Sequence, residues 1–172
     1  MNEATHRDLV RPGEGKSVWL GGVGVDFKIL GEQTRGLLAV VEHPMEPGRL
    51  VPPHVHYDTD EYSYVLQGEV GARVGDQELS AGAGTYLLKP RNVPHTIWNA
   101  GPKPARVIEM ISPAGFERFF EELAEIFAAA GTDPPDEQRL GALGARYNLS
   151  FVHSEWVPEL KQKYGLKLLG EP

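Results

Sequence analysis

Residues 48–68 read GRLVPPHVHYDTDEYSYVLQG. Side chains two apart in a strand share a face, so His54 and His56 can present two imidazoles to one point. Glu61 follows and opens the run Glu61-Tyr62-Ser63-Tyr64-Val65-Leu66, rich in aromatic and β-branched strand formers. Residues 84–99 read GTYLLKPRNVPHTIWN. There Pro94 pushes Val93 toward an extended backbone, and His95 opens a further strand-like run to Asn99. Three imidazoles and one carboxylate on or beside strands suit one divalent transition metal, with Fe, Mn, Ni, Cu, Co and Zn all open.

Working outward, similar short runs cover residues 23–30, 37–42, 69–74, 77–79, 85–88 and 105–111. Turn residues punctuate them, and closely spaced short strands of this kind predict an all-β sandwich or barrel. Val70, Ala72 and Val74 alternate onto one face, and Gly75-Asp76-Gln77 reads as a tight hairpin turn. The pattern changes at Ser112-Pro113, an N-cap and first-turn proline. Phe116, Phe119, Phe120, Leu123, Ile126 and Phe127 then follow helical spacing to Gly131, with Glu117, Glu121, Glu122 and Glu125 expected on the other face. The phenylalanine stripe reads as core packing. After a break at Asp133-Pro134-Pro135, a second helix is expected over Asp136–Tyr147, and a third over Pro158–Tyr164 with Gly165 as its stop. The expected division is a β-barrel over residues 1–111 and a helical appendage over 112–172.

The chain has no cysteine. That excludes disulfides, thiolate metal sites and cysteine nucleophiles, so a metal must be held by nitrogen and oxygen. A net charge of −7 argues against nucleic-acid partners and anionic membrane surfaces. The longest aliphatic run, Leu37–Val41, is far short of the ~20 residues of a membrane helix. Residues 1–20 carry no apolar export segment, and a cytoplasmic location is expected.

The two histidine stretches resemble the paired motifs of the cupin superfamily. The first, G-x5-H-x-H-x4-E-x6-G, is complete at Gly48, His54, His56, Glu61 and Gly68. The second, G-x5-P-x-G-x2-H-x3-N, is met at Gly84, Pro90, His95 and Asn99, with Asn92 where the motif has glycine. Asn tolerates positive φ better than most residues, so the departure is mild. The resemblance implies a jelly-roll β-barrel and a mononuclear metal site on His54, His56, Glu61 and His95. It also implies a small-molecule substrate and a homodimer. In quercetinase-like members the matching glutamate is both ligand and proton acceptor, a catalytic role that would fall to Glu61.

Strand alternation from Glu61 places Ser63 and Val65 inward, and from His95 it places Ile97 and Asn99 inward. These four are the candidate pocket residues. Their neutral, largely apolar character points to an aromatic or enolisable substrate. Arg106 and Glu109 sit at opposite parities, which leaves the inward face of that strand ambiguous. Three readings of function stay open: a dioxygenase-type oxidoreductase, a metal-dependent isomerase or lyase, and a non-enzymatic small-ligand-binding protein. Three further histidines are set aside: His43 as a turn or surface residue, His6 in the terminus, and His153 near a helix start. The Gly21-Gly22-Val23-Gly24 run lacks the helix and lysine of a nucleotide loop.

Overall fold

The period-two alternation of the sequence is realised as two facing sheets, antiparallel except for one short pair. The computed structural model describes residues 9–131 and 134–171, so His6 and Asp133 lie outside the described residues. In chain order the strands are β1 (Ser17–Trp19), β2 (Gly24–Ile29), β3 (Ala39–Met45), β4 (Arg49–Leu50), β5 (His54–His56) and β6 (Asp60–Gln67). They continue with β7 (Glu69–Val74), β8 (Gln77–Gly82), β9 (Tyr86–Lys89), β10 (His95–Asn99) and β11 (Ala105–Ser112). Then come α1 (Glu117–Ala130), α2 (Glu137–Arg146), β12 (Leu149–Phe151), α3 (Trp156–Tyr164) and β13 (Lys167–Leu168).

The first sheet has the order β1-β2-β3-β11-β6-β9. In the second, β10 lies between β7 on one side and β4 and β5 on the other, with β8 beyond β7. This is the jelly-roll arrangement of the expected all-β class. The expected barrel is a sandwich: each strand ladder stays within its own sheet, and the sheets meet through side chains. Val65, Val70, Ala72, Ile97 and Val107 fill the space between them.

Three expectations about the C-terminal third are corrected. Ser112 does not cap a helix. It is the last residue of β11, paired with Asp60, and its hydroxyl donates to the Leu37 carbonyl at 3.0 Å. The helix begins at Glu117 instead, and Glu117 is buried rather than on the solvent face. Its carboxylate accepts from the Gly31 and Gly115 amides at 2.9 and 2.5 Å, a favourable place for an anion at a helix start. Lastly, residues 112–172 are not only helical. β12 pairs with β5 along its free edge, and β13 pairs in parallel with β4.

Of these additions, α1 packs on the inward face of the first sheet and α3 on the outer face of the second. Phe119, Leu123 and Ile126 of α1 pack on Val25, Phe27, Val41 and Ile111 of the first sheet. Against the outer face of the second sheet, Leu160 of α3 and the following Leu166 bury Leu50 and Trp98. Gly71 makes room for that tryptophan: a β-carbon there would sit 2.1 Å from the Trp98 ring. The second helix starts at Glu137, with Asp136 capping the Gln138 and Arg139 amides. The third starts at Trp156 and ends at Gly165 in the left-handed conformation.

Candidate metal centre

β5, β6 and β10 bring His54, His56, Glu61 and His95 together between the sheets. His54 and His95 are direct partners across the β5–β10 ladder. One donor atom from each of the four residues lies within 4.8 Å of all the others. His56, Glu61 and His95 are buried. Asn92 in the preceding loop has φ 63°, the left-handed conformation anticipated for the position where the motif has glycine. Its amide bonds the His56 carbonyl at 2.7 Å, which ties the loop before His95 to the ligand strand.

The ring nitrogens sort themselves by their partners. His54 Nδ1 donates to the Pro52 carbonyl at 2.8 Å, and His95 Nδ1 donates to the Val93 carbonyl at 2.9 Å. A carbonyl can only accept, so in each neutral ring Nε2 carries the lone pair. Burial holds both rings below the usual imidazole range, and for His54 the neighbouring His95 and His56 add to it. His56 Nδ1, His56 Nε2 and His95 Nε2 are buried with no hydrogen-bond partner among the described residues. Two of them approach Glu61 at 3.4 and 3.3 Å without bonding it. Orphaned buried polar atoms cost about 1–3 kcal/mol each. Neutral imidazole nitrogens with free lone pairs, set around one carboxylate, are the donor set of a divalent transition ion. Ligand bonds of ~2.0–2.2 Å put donors ~3–4 Å apart, so the cluster fits such an ion after shifts of a few tenths of an ångström.

Behind Glu61 lies a buried charge chain that the sequence reading missed. Lys89 of β9 is 2.8 Å from Glu61 and 2.6 Å from Glu109 of β11. Ser63 donates to Glu109 at 3.0–3.1 Å. Burial pushes the Glu61 carboxyl up, but Lys89 and His56 outweigh it and hold the group well below its usual range. Burial and the nearby Glu61 carry Glu109 the other way, to about 7, with Lys89 opposing them. Burial disfavours the Lys89 ammonium, yet Glu109 and Glu61 prevail and raise its pKa.

A cavity of about 1060 Å³ opens on this cluster. Its wall includes His54, Glu61, His95, Lys89, Glu109 and Ile97 on the strands, and Phe116, Phe119 and Phe120 from the α1 region. The phenylalanines therefore serve the core and the cavity together. Ile97 is where the alternation placed it. Ser63 and Val65 point inward but lie outside the wall: Ser63 is spent on Glu109, and Val65 is packed between the sheets. Asn99 is also outside it. Its side chain ties the Met45 and Lys103 carbonyls and the Gly101 amide. The wall is thus apolar with buried charge, not neutral throughout. The overlooked signal was parity: Ala105, Val107 and Ile111 share their face with Glu109, and Leu87 shares its face with Lys89. His43 is likewise no surface residue. It is buried on β3 and lines the same cavity.

Residues 42–111 match the family described as Cupin domain. Over 80 residues the chain is 36% identical to the tetracenomycin polyketide synthase protein TcmJ of Streptomyces glaucescens, a match covering 46% of this chain and 52% of that protein. The chain thus spans about half the length of this curated relative. Among solved structures, a predicted oxalate decarboxylase from Thermotoga maritima aligns with a TM-score of 0.58 at 19% identity, covering 61% of this chain and 98% of that one. The polyketide cyclase RemF of Streptomyces resistomycificus aligns at 0.54 with 20% identity, covering 62% and 79%. At these identities the two structures speak for the fold alone. No helix among the described residues is long and apolar enough to cross a membrane.

Proposed function

The chain belongs to the cupin superfamily, and from that premise we propose that it is a metal-dependent enzyme acting on an enolisable aromatic small molecule of polyketide type. The observation that carries this reading is the phenylalanine-lined cavity opening directly on the buried three-histidine, one-glutamate cluster. The similarity to TcmJ supports the substrate class. His54, His56, Glu61 and His95 would hold the ion. When bound, such an ion polarises a substrate oxygen and acidifies the adjoining C–H or O–H.

The chain's own residues supply the rest. Phe116, Phe119 and Phe120 exclude water and give a planar ring an apolar bed. Lys89 keeps Glu61 ionised and fixed in place, as partners behind a metal ligand do. A carboxylate held that low is a weak base, so the proton-accepting role first given to Glu61 passes to Glu109. Glu109 lines the cavity, titrates near neutrality and is held on both oxygens by Ser63 and Lys89.

An enolate formed this way can add to a ketone carbon of the same molecule, forming the ring C–C bond as the carbonyl π bond opens to an alkoxide. The proton held on Glu109 returns to that oxygen, and the hydroxyl leaves as water with loss of a neighbouring C–H proton. This is a lyase-type outcome, which we take as the primary reading. A dioxygenase reading has support of its own: His54, His56, Glu61 and His95 would equally hold a redox-active first-row ion, which would supply chemistry with dioxygen. One experiment separates them. Protein loaded in turn with each first-row divalent ion is incubated with heptane-2,4,6-trione and a polyhydroxylated anthracene, with oxygen uptake and product mass recorded. Loss of one water supports ring closure; gain of two oxygen atoms with oxygen uptake supports the dioxygenase. Turnover that survives His54→Ala combined with His95→Ala refutes both.

A further inference from the structure

We infer that His43 is a second polar station in the cavity, accepting a hydrogen bond from a hydroxyl of the bound ring system and so selecting fused-ring phenols over their ethers. The inference rests on the reading of the cavity as an aromatic-binding site.

β3 alternates, with Ala39, Val41, His43 and Met45 all buried on its inward face. His43 therefore occupies a position where its neighbours are apolar. Its Nδ1 lies 3.0 Å from the Gly24 carbonyl. The carbonyl can only accept, so Nδ1 carries the proton and Nε2 the lone pair. Burial lowers the pKa to about 4, which keeps the ring neutral. Phe120 packs edge-on at 5.2 Å and fixes the ring plane. Nε2 has no hydrogen-bond partner among the described residues, and it is not sealed as the His56 ring nitrogens are. It is left open to the cavity that His43 lines.

The other buried polar groups of this wall, outside the metal ligands, are already paired. Lys89 is held by two carboxylates, and Glu109 by Lys89 and Ser63. His43 differs from them in offering a neutral acceptor with no partner among the described residues, and an acceptor facing a cavity rewards a donor on the ligand.

Register sets the distance. His43 pairs with Val107 while Val41 pairs with Glu109, so His43 is the diagonal neighbour of Glu109. Glu61 lies on β6, on the far side of β11 from β3. Two strand spacings amount to about 10 Å sideways, and the four residues of β11 between Val107, opposite His43, and Ile111, opposite Glu61, add about 13 Å lengthwise, so the two backbone positions lie about 16 Å apart. Both residues line the one cavity, so an elongated fused-ring molecule can lie along it with one end toward the metal cluster and a hydroxyl toward His43.

The test is calorimetric binding of 2-naphthol and 2-methoxynaphthalene to the full-length protein carrying equal zinc in every sample. The wild type is expected to prefer the naphthol about tenfold, the scale of one hydrogen bond. His43→Phe keeps the packing on Phe120 and is expected to bind both probes within twofold of each other. His43→Gln, which retains an acceptor, is expected to restore part of the preference. Zinc content and circular dichroism verify folding. A preference that persists in His43→Phe, a wild type that does not discriminate, or no binding of either probe overturns the inference. Because binding is read without turnover, loss of the preference with catalysis intact removes His43 alone. An intact preference without turnover removes the catalytic proposal alone.

Discussion

Replacing Lys89 by methionine leaves two buried carboxylates facing each other. In the wild type the ammonium is 2.8 Å from Glu61 and 2.6 Å from Glu109, and all three side chains are 4% exposed or less. Removing one partner of a buried pair costs about 3–5 kcal/mol. Glu109 already titrates at about 7 and can take up a proton, which holds the loss to the lower end of that range. In metal-free protein we expect Lys89→Met to lose about 3 kcal/mol in urea unfolding at pH 8. Glu109→Gln in that background removes the second carboxylate and should recover more than half of the loss. A divalent ion restores positive charge beside Glu61, so ion binding should stabilise Lys89→Met more than the wild type. A metal-free Lys89→Met protein within 1 kcal/mol of wild type, or an ion effect equal in both, would refute this account of the charge chain.

Other consequences are equally open to measurement. His54→Ala should cut bound metal sharply by elemental analysis; unchanged stoichiometry would place the site elsewhere. Glu109 has a folded pKa raised to about 7 from 4.5. The native state then binds more protons than the unfolded state between those values, so this group's contribution to stability falls as pH rises from 4.5 to 7 and is level above. Glu109→Gln should make metal-free stability rise more steeply with pH across that window, and an unchanged slope contradicts the assignment. Gly71→Ala places a β-carbon 2.1 Å from the Trp98 ring, and a loss of about 2 kcal/mol is expected in urea titration. Homodimerisation is expected through the outer face of β6 and β9. Tyr62 pairs with Leu88 and Tyr64 with Tyr86 there, and Tyr86 is 72% exposed. A contiguous apolar patch beside an edge strand is a ready interface. Tyr86→Lys with Leu88→Lys should sediment as a monomer, and a monomeric wild type would remove the proposal.

The four candidate ligands were legible together because the two stretches resemble the cupin motifs, and local geometry supports that pattern. His54 and His56 share a face through strand periodicity alone, and Pro94 and Asn92 shape the approach to His95 through their own backbone preferences. Strand alternation also placed Glu61, Ser63 and Val65 inward and left Tyr62 exposed. Alternation says which face a residue takes, not what it meets there. Ser63 and Asn99 were read as pocket residues, yet their polar atoms are spent on Glu109 and on nearby loop groups. Glu117 has the spacing of a solvent-face acid but is captured by two amides from separate turns.

By itself, the sequence determined the all-β class, most strands of the β body and the absence of sulfur ligands, and its resemblance to the cupin motifs singled out the candidate metal donors. The first three follow from composition or from periodicity within a few residues, and the last from motif spacing. Only the tertiary structure decided that Lys89 and Glu109 stand behind Glu61, that His43 opens on the same cavity, and that β12 and β13 complete the second sheet. The physical reason is that these depend on partners tens of residues apart. A buried charge or an uncommitted imidazole is defined by what surrounds it, and those surroundings exist only once β3, β6, β9 and β11 lie side by side.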